Sequence, residues 1–155
     1  MKNVKNKTRG FTLIEVLVVI GIIAILAAVV IVAINPAKHF AEANNSTRSA
    51  NVNAILNAVG QYVVENKGLL PTIPGGEINQ AFCEAIVPEF LPALPTDPKS
   101  FFAGKAIVDG DCDDITSTNQ TNYEVTAVAN RIEVCAPNAA DETALDDPEA
   151  ICVTR

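Results

Sequence analysis

GFTLIEVLVVIGIIAILAAVVIVAI, residues 10–34, is the stretch on which the fold turns. Within it, the 19 consecutive residues 16–34 carry neither a charge nor a side-chain amide. At 1.5 Å per residue they make about 28 Å of helix, close to the thickness of a bilayer's hydrocarbon core. The run predicts a membrane-spanning helix. Glu15 sets it apart from an ordinary anchor, because an ionised carboxylate just inside hydrocarbon costs on the order of 2.5 kcal/mol or more and points to a function.

Upstream, MKNVKNKTRG carries Lys2, Lys5, Lys7 and Arg9 and no acid. The positive-inside rule keeps this end in the cytoplasm and sends the C-terminus out. A secretory signal would have a shorter apolar core with a small-residue cleavage site after it; here Gly10 precedes the run and no polar break follows until Asn35. The junction, a basic leader ending in Gly10 and then Phe11, Thr12, Leu13, Ile14 and Glu15, resembles the cleavage motif of type IV prepilins and type II secretion pseudopilins. The resemblance implies that a membrane-embedded prepilin peptidase cuts between Gly10 and Phe11, and that Phe11 becomes an N-methylated N-terminus. It also implies that Glu15 pairs with the Phe11 amine of its own chain or of a neighbour during assembly, a charge pair that low dielectric favours. The plainer alternative is a single-pass anchor with an incidental Glu.

Pro36 removes one helical hydrogen bond and clashes with the preceding turn, so a kink is expected there without an end to the helix. Residues 37–66 are again helix-like. Val52, Ile55, Val59 and Tyr62 recur at spacings of 3, 4 and 3 and form an apolar stripe, while Asn45, Arg48, Asn53, Asn57 and Gln61 are read as lying largely off it. Gly60 inside the stripe suggests close packing of a strand or a neighbouring subunit. Lys67-Gly68 is a stop signal. Residues 11–66 would make a helix of roughly 84 Å, far longer than a small domain needs and suited to a polymer spine. Related pilins often have their helix-breaking Pro where this chain has Val32, so the place of any melted segment between Val32 and Pro36 is open.

Residues 69–100 carry six prolines and Gly75-Gly76, which predicts a loop with at most a short helix near 78–86. FLPALPTDPK, residues 90–99, resembles the Leu-Pro-x-Asp-Pro turn that many pilins and pseudopilins carry before their first strand. Strands are expected at 105–108, 122–129, 131–136 and 150–154, with a tight turn centred on Asn130. Tyr123, Val125, Ala127 and Ala129 alternate with Asn122, Glu124 and Thr126, the pattern of a sheet with one buried face.

Four cysteines in an extracytoplasmic head suggest two disulfides, with three possible pairings. Cys135 and Cys152 both point away from the apolar residues of their strands, which favours their pairing and leaves Cys83 with Cys112. Reduced core thiols are the alternative. Zinc is disfavoured, since there is no Cys-x-x-Cys pair and His39 is the single histidine. His39 is read as an interfacial or packing side chain, and no nucleophile–base or paired-carboxylate constellation supplies an enzyme mechanism. Asp109, Asp111, Asp113 and Asp114 could offer oxygens to calcium, which some pseudopilins bind in the head, but the order is wrong for an EF-hand. A solvated acidic loop is preferred there and at 141–149. Loss of the four leader cations leaves 7 of 11 basic side chains against 18 acidic ones, a net of -11, which argues against binding nucleic acid.

The expected fold is α+β and pilin-like: a long N-terminal helix, half transmembrane and half amphipathic, packed on a small antiparallel sheet. The expected division is a leader at 1–10, a transmembrane and assembly half at 11–35, an amphipathic half at 36–66 and a globular head at 67–155. The favoured function is a non-enzymatic pilus subunit with no cofactor, whose partners are copies of itself, a prepilin peptidase, an inner-membrane assembly platform and, before assembly, membrane lipid. It would pass from a membrane-anchored precursor with an extracytoplasmic head to a cell-surface filament. Two alternatives stay open: a pseudopilin of a type II secretion system, and a membrane-tethered binding head that does not polymerise. The stapled C-terminal region favours the pilin, because it resembles that of many pilins, whereas major pseudopilins usually rely on calcium there.

Overall fold

The computed structural model describes residues 10–73, 76–128 and 131–155. The chain divides after Pro36 into two units. The first is built on α1 (Leu13–Ala33), whose large apolar side chains from Leu13 to Ile31 are exposed on every side. Residues Leu13–Ile31 are long and apolar enough to cross a membrane. Thr12 is the N-cap of α1. Its Oγ1 accepts from the Glu15 backbone N–H at 3.2 Å, while the Thr12 N–H donates to Glu15 Oε2, also at 3.2 Å, a reciprocal capping box.

α1 does not run through the proline. It ends at Ala33 with Ile34 extended (φ -95, ψ 120), and α2 (Pro36–Glu65) starts on Pro36. The physical reason corrects the expected kink: the residue before a proline is pushed toward extended backbone, and proline is well placed where a helix begins, since its missing N–H would have had no partner there. At the far end, Lys67 and Gly68 both take positive φ (56 and 90), and the Gly68 N–H reaches back to the Val63 carbonyl at 2.8 Å, closing the helix with a Schellman-type bond.

The second unit packs the face of α2 that carries Val52, Ile55, Leu56 and Val59 against α3 (Gln80–Ile86) and a three-stranded antiparallel sheet of order β1 (Glu124–Val128), β2 (Arg131–Ala136) and β3 (Ile151–Thr154). Tyr123, Val125, Val134 and Ala136 are the buried contribution of the sheet region. The alternation read from sequence therefore holds at 123–126, and Asn130 with its turn lies outside the described residues. The outer edge of β1 is covered by residues 76–78: Val125 N–H bonds the Gly76 carbonyl at 2.7 Å and Ile78 N–H the Tyr123 carbonyl at 3.3 Å. Gly76 is required there, with φ +88 and a Cβ position only 3.0 Å from the Thr126 methyl.

The strand expected at 105–108 is a single bridge. Ile107 and Leu94 exchange backbone hydrogen bonds of 2.7 and 2.8 Å, and pairing goes no further. Gly104 and Gly110, both at positive φ, turn the chain away on either side, and Ile107 alone in that segment is buried.

Candidate functional site

The N-terminal junction is open. Gly10 has nothing within 4 Å of its Cβ position, and Phe11 is 86% exposed. Phe11, Val16, Val19 and Glu15 border a small apolar hollow of about 230 Å³ on the first turns of α1. The Glu15 carboxylate faces its own N-cap and accepts from both the N–H and, at 3.3 Å, the hydroxyl of Thr12. An acid in the first turn also complements the positive end of the helix dipole. The Thr-x-x-Glu spacing that produces this cap is a sequence signature, and it shows a local role for Glu15 that the reading of its charge alone missed.

The cysteines form two bridges. Cys83–Cys112 ties α3 to the 3-10 turn at Cys112–Asp114 inside the core, with Cα atoms 5.7 Å apart. Cys135–Cys152 joins directly opposed residues of β2 and β3, Cα atoms 4.1 Å apart. Ile132 and Arg155 exchange both backbone hydrogen bonds, so the alternation of an antiparallel ladder places Cys135 and Cys152 at a pair without such bonds, where side chains come closest.

Among the described residues, Asp109, Asp111, Asp113 and Asp114 do not converge as a group of three ligand atoms. Asp113 instead accepts from Gln80, and Asp111 stands 4.0 Å from Lys105. The one three-ligand group among the described residues is Glu133, Cys135 and Cys152, and the two sulfurs are already bonded to each other. His39 is exposed, with Nδ1 3.3 Å from Glu42.

A polar centre stands where sequence reading placed solvated residues. Arg48 is fully buried. It stands four residues before Val52, which puts it on the inward face of α2 and corrects its expected place off the stripe. Its guanidinium forks onto Asp97 through Nε and Nη2, the latter at 3.1 Å, and Nη1 reaches Glu142 at 2.6 Å and Asn45 at 2.8 Å. Glu142, expected in a solvated acidic loop, is buried too, and also takes Lys99 Nζ at 2.7 Å and Asn44 at 3.2 Å. Asp97 further accepts the Lys99 N–H at 2.8 Å. Burial alone would raise the Glu142 pKa, but the hydrogen bonds from Lys99, Arg48 and Asn44 and the Arg48 charge outweigh it and hold the carboxyl below its usual range. For Arg48 burial pulls the other way, and the two carboxylates overcome it, keeping the guanidinium charged. This centre fastens the Leu-Pro-Thr-Asp-Pro turn and the 136–151 loop to α2. Its contacts are architectural, tying distant segments of the chain together.

Residues 5–31 match the family model of the prokaryotic N-terminal methylation motif. The chain thus carries the N-terminal motif of the type IV pilin and pseudopilin family, on a membrane-length apolar helix followed by an α+β, pilin-like layout. The motif supports reading the chain as a type IV pilin-like or pseudopilin precursor. No curated protein and no solved structure matches the chain.

Proposed function

We propose that the chain is a pilin: a precursor cut between Gly10 and Phe11 by a prepilin peptidase, methylated at Phe11 and polymerised into a type IV pilus. The observation that carries this reading is the methylation motif laid on a helix of membrane length whose first turn holds Glu15. The leader at 1–10 is discarded. Residues 11–35 serve as the transmembrane and assembly half, 36–66 as the amphipathic half and 67–155 as the head, with an inner-membrane platform driving assembly. In hydrocarbon, the new amine of Phe11 and the carboxylate of Glu15 each need a partner, and each supplies one to the other within or between chains. An extracytoplasmic head fits the two disulfides.

The Cys135–Cys152 bridge supports a pilus subunit over a secretion pseudopilin, because it closes the C-terminal region covalently, as in the pilins it resembles, where major pseudopilins usually rely on calcium. The test is Glu15→Ala in the full chain. Membrane insertion, leader removal and the folded head should be retained while filaments, scored by electron microscopy and by composition of sheared material, disappear. Undiminished filament yield would show that the carboxylate plays no part in assembly.

A further inference from the structure

Gly60 sits inside α2, where glycine costs roughly 0.5–1 kcal/mol relative to alanine. The fold of the single chain does not require it. A Cβ there would meet only the Arg155 guanidinium, at an ordinary 3.8 Å. Over Gly60 lies an open groove of about 800 Å³, bordered by Val64 and Glu65 of α2 and, opposite, by Glu89, Phe90 and Arg155. Val64, one turn beyond the glycine, is 82% exposed. A shallow floor beside an exposed aliphatic side chain, with the Glu65 and Glu89 carboxylates outnumbering the Arg155 guanidinium at the rim, suits an apolar plug that carries a cation.

The head itself presents such a plug. Residues 37–155 hold 7 basic against 17 acidic side chains, so copies repel each other except where one of the few cations meets an acid. In the turn at 99–105, Phe101 is 71% exposed and Lys105 projects with three-quarters of its side chain in solvent, at the limit of ion-pair distance from Asp111. The turn is held in place from beneath. Asp97 is bonded to Arg48, Ala103 N–H closes onto the Ser100 carbonyl at 2.9 Å, and the half-buried Phe102 meets the Phe101 ring edge-on at 5.5 Å. Arg48 and Gly60 are twelve residues apart on α2, about 18 Å along its axis.

We propose that the 99–105 turn of one copy seats in the Gly60 groove of the next, Phe101 against Gly60 and Val64, Lys105 toward Glu65 and Glu89. Plug and socket are different patches at different heights on the same unit. The contact is therefore heterologous, and repeats head to tail into a run of subunits that stays open where the rotation per step does not close a ring. This rests on the polymer reading above and names one surface that the polymer uses.

The test places a benzophenone photocrosslinker at position 101 of the full chain, processed and assembled in cells. The expected product is an intermolecular cross-link mapping to residues 57–65 or 89–90. Gly60→Leu should remove it with the near-ultraviolet signal of the folded head unchanged. In an independent arm that avoids the groove floor, Glu89→Lys should reduce the cross-link and the added change Lys105→Glu should restore it. Filaments that form with the cross-link absent or mapping elsewhere would overturn this contact and leave the pilin reading standing. The mapped cross-link without filaments would do the reverse.

Discussion

Replacing Arg48 with leucine would leave Asp97 and Glu142 buried without their shared cation, and stranding one member of a buried ion pair costs about 3–5 kcal/mol. Chemical denaturation of the full chain in detergent should register that loss in the near-ultraviolet signal of Tyr123, which is buried and bonded to Asn51 at 2.9 Å. A wild-type midpoint would show that the centre adds nothing to stability. Acid should reach the same centre. Because the folded state holds Glu142 below the usual carboxylate pKa of about 4.3, its stabilisation is complete above that value and drains away as the pH falls through the lower folded one. Glu142→Gln should therefore flatten the pH dependence of unfolding below about pH 4.3; an unchanged acid limb would contradict the assignment. Sequence reading found Glu15 from its charge in an apolar run, yet missed Arg48, Asp97 and Glu142 as a set. Asp97 and Glu142 lie 49 and 94 residues from Arg48, and each of the three alone looks like an ordinary surface charge. The one local clue was Arg48 at helical spacing from Val52.

At the scale of elements, α2 carries a removable weakness. Gly60→Ala should stabilise the head by about 0.5–1 kcal/mol, since the added methyl finds ordinary contact distance and the unfolded chain loses freedom. A thermal midpoint lower than wild type would mean that the groove is tighter than it stands. β3, four residues long, depends on its staple: joint replacement of Cys135 and Cys152 by serine should cost about 2–4 kcal/mol, read by the same denaturation. Several elements were legible from sequence: α1 from its unbroken apolar run, most of α2 from its stripe, and the strands from their alternation, which holds in β1 as far as Thr126 and fails at the exposed Ala127. The segment at 105–108 was not, because a short apolar run between glycines reads alike whether it pairs along its length or at Ile107 alone. The break at Ile34 was misjudged for a related reason: Pro36 can kink a helix or begin one, and the choice rests on the extended backbone of the residues before it.

For the molecule as a whole, terminal sequencing of surface material should begin at Phe11 with a methylated amine; an intact Met1 would reject the processing scheme. The layout also has a mechanical reading. A tensile load carried between α2 and the C-terminus would pass through a chain whose two bridges close segments with sequence separations of 29 and 17 residues. At roughly 3.5 Å per extended residue, these lock away about 100 Å and about 60 Å of contour. Stretched single molecules should thus lengthen by about 160 Å more after reduction than before it, a difference that force spectroscopy resolves directly. Oxidised, the head behaves under tension as a short tether with two sealed reserves of slack.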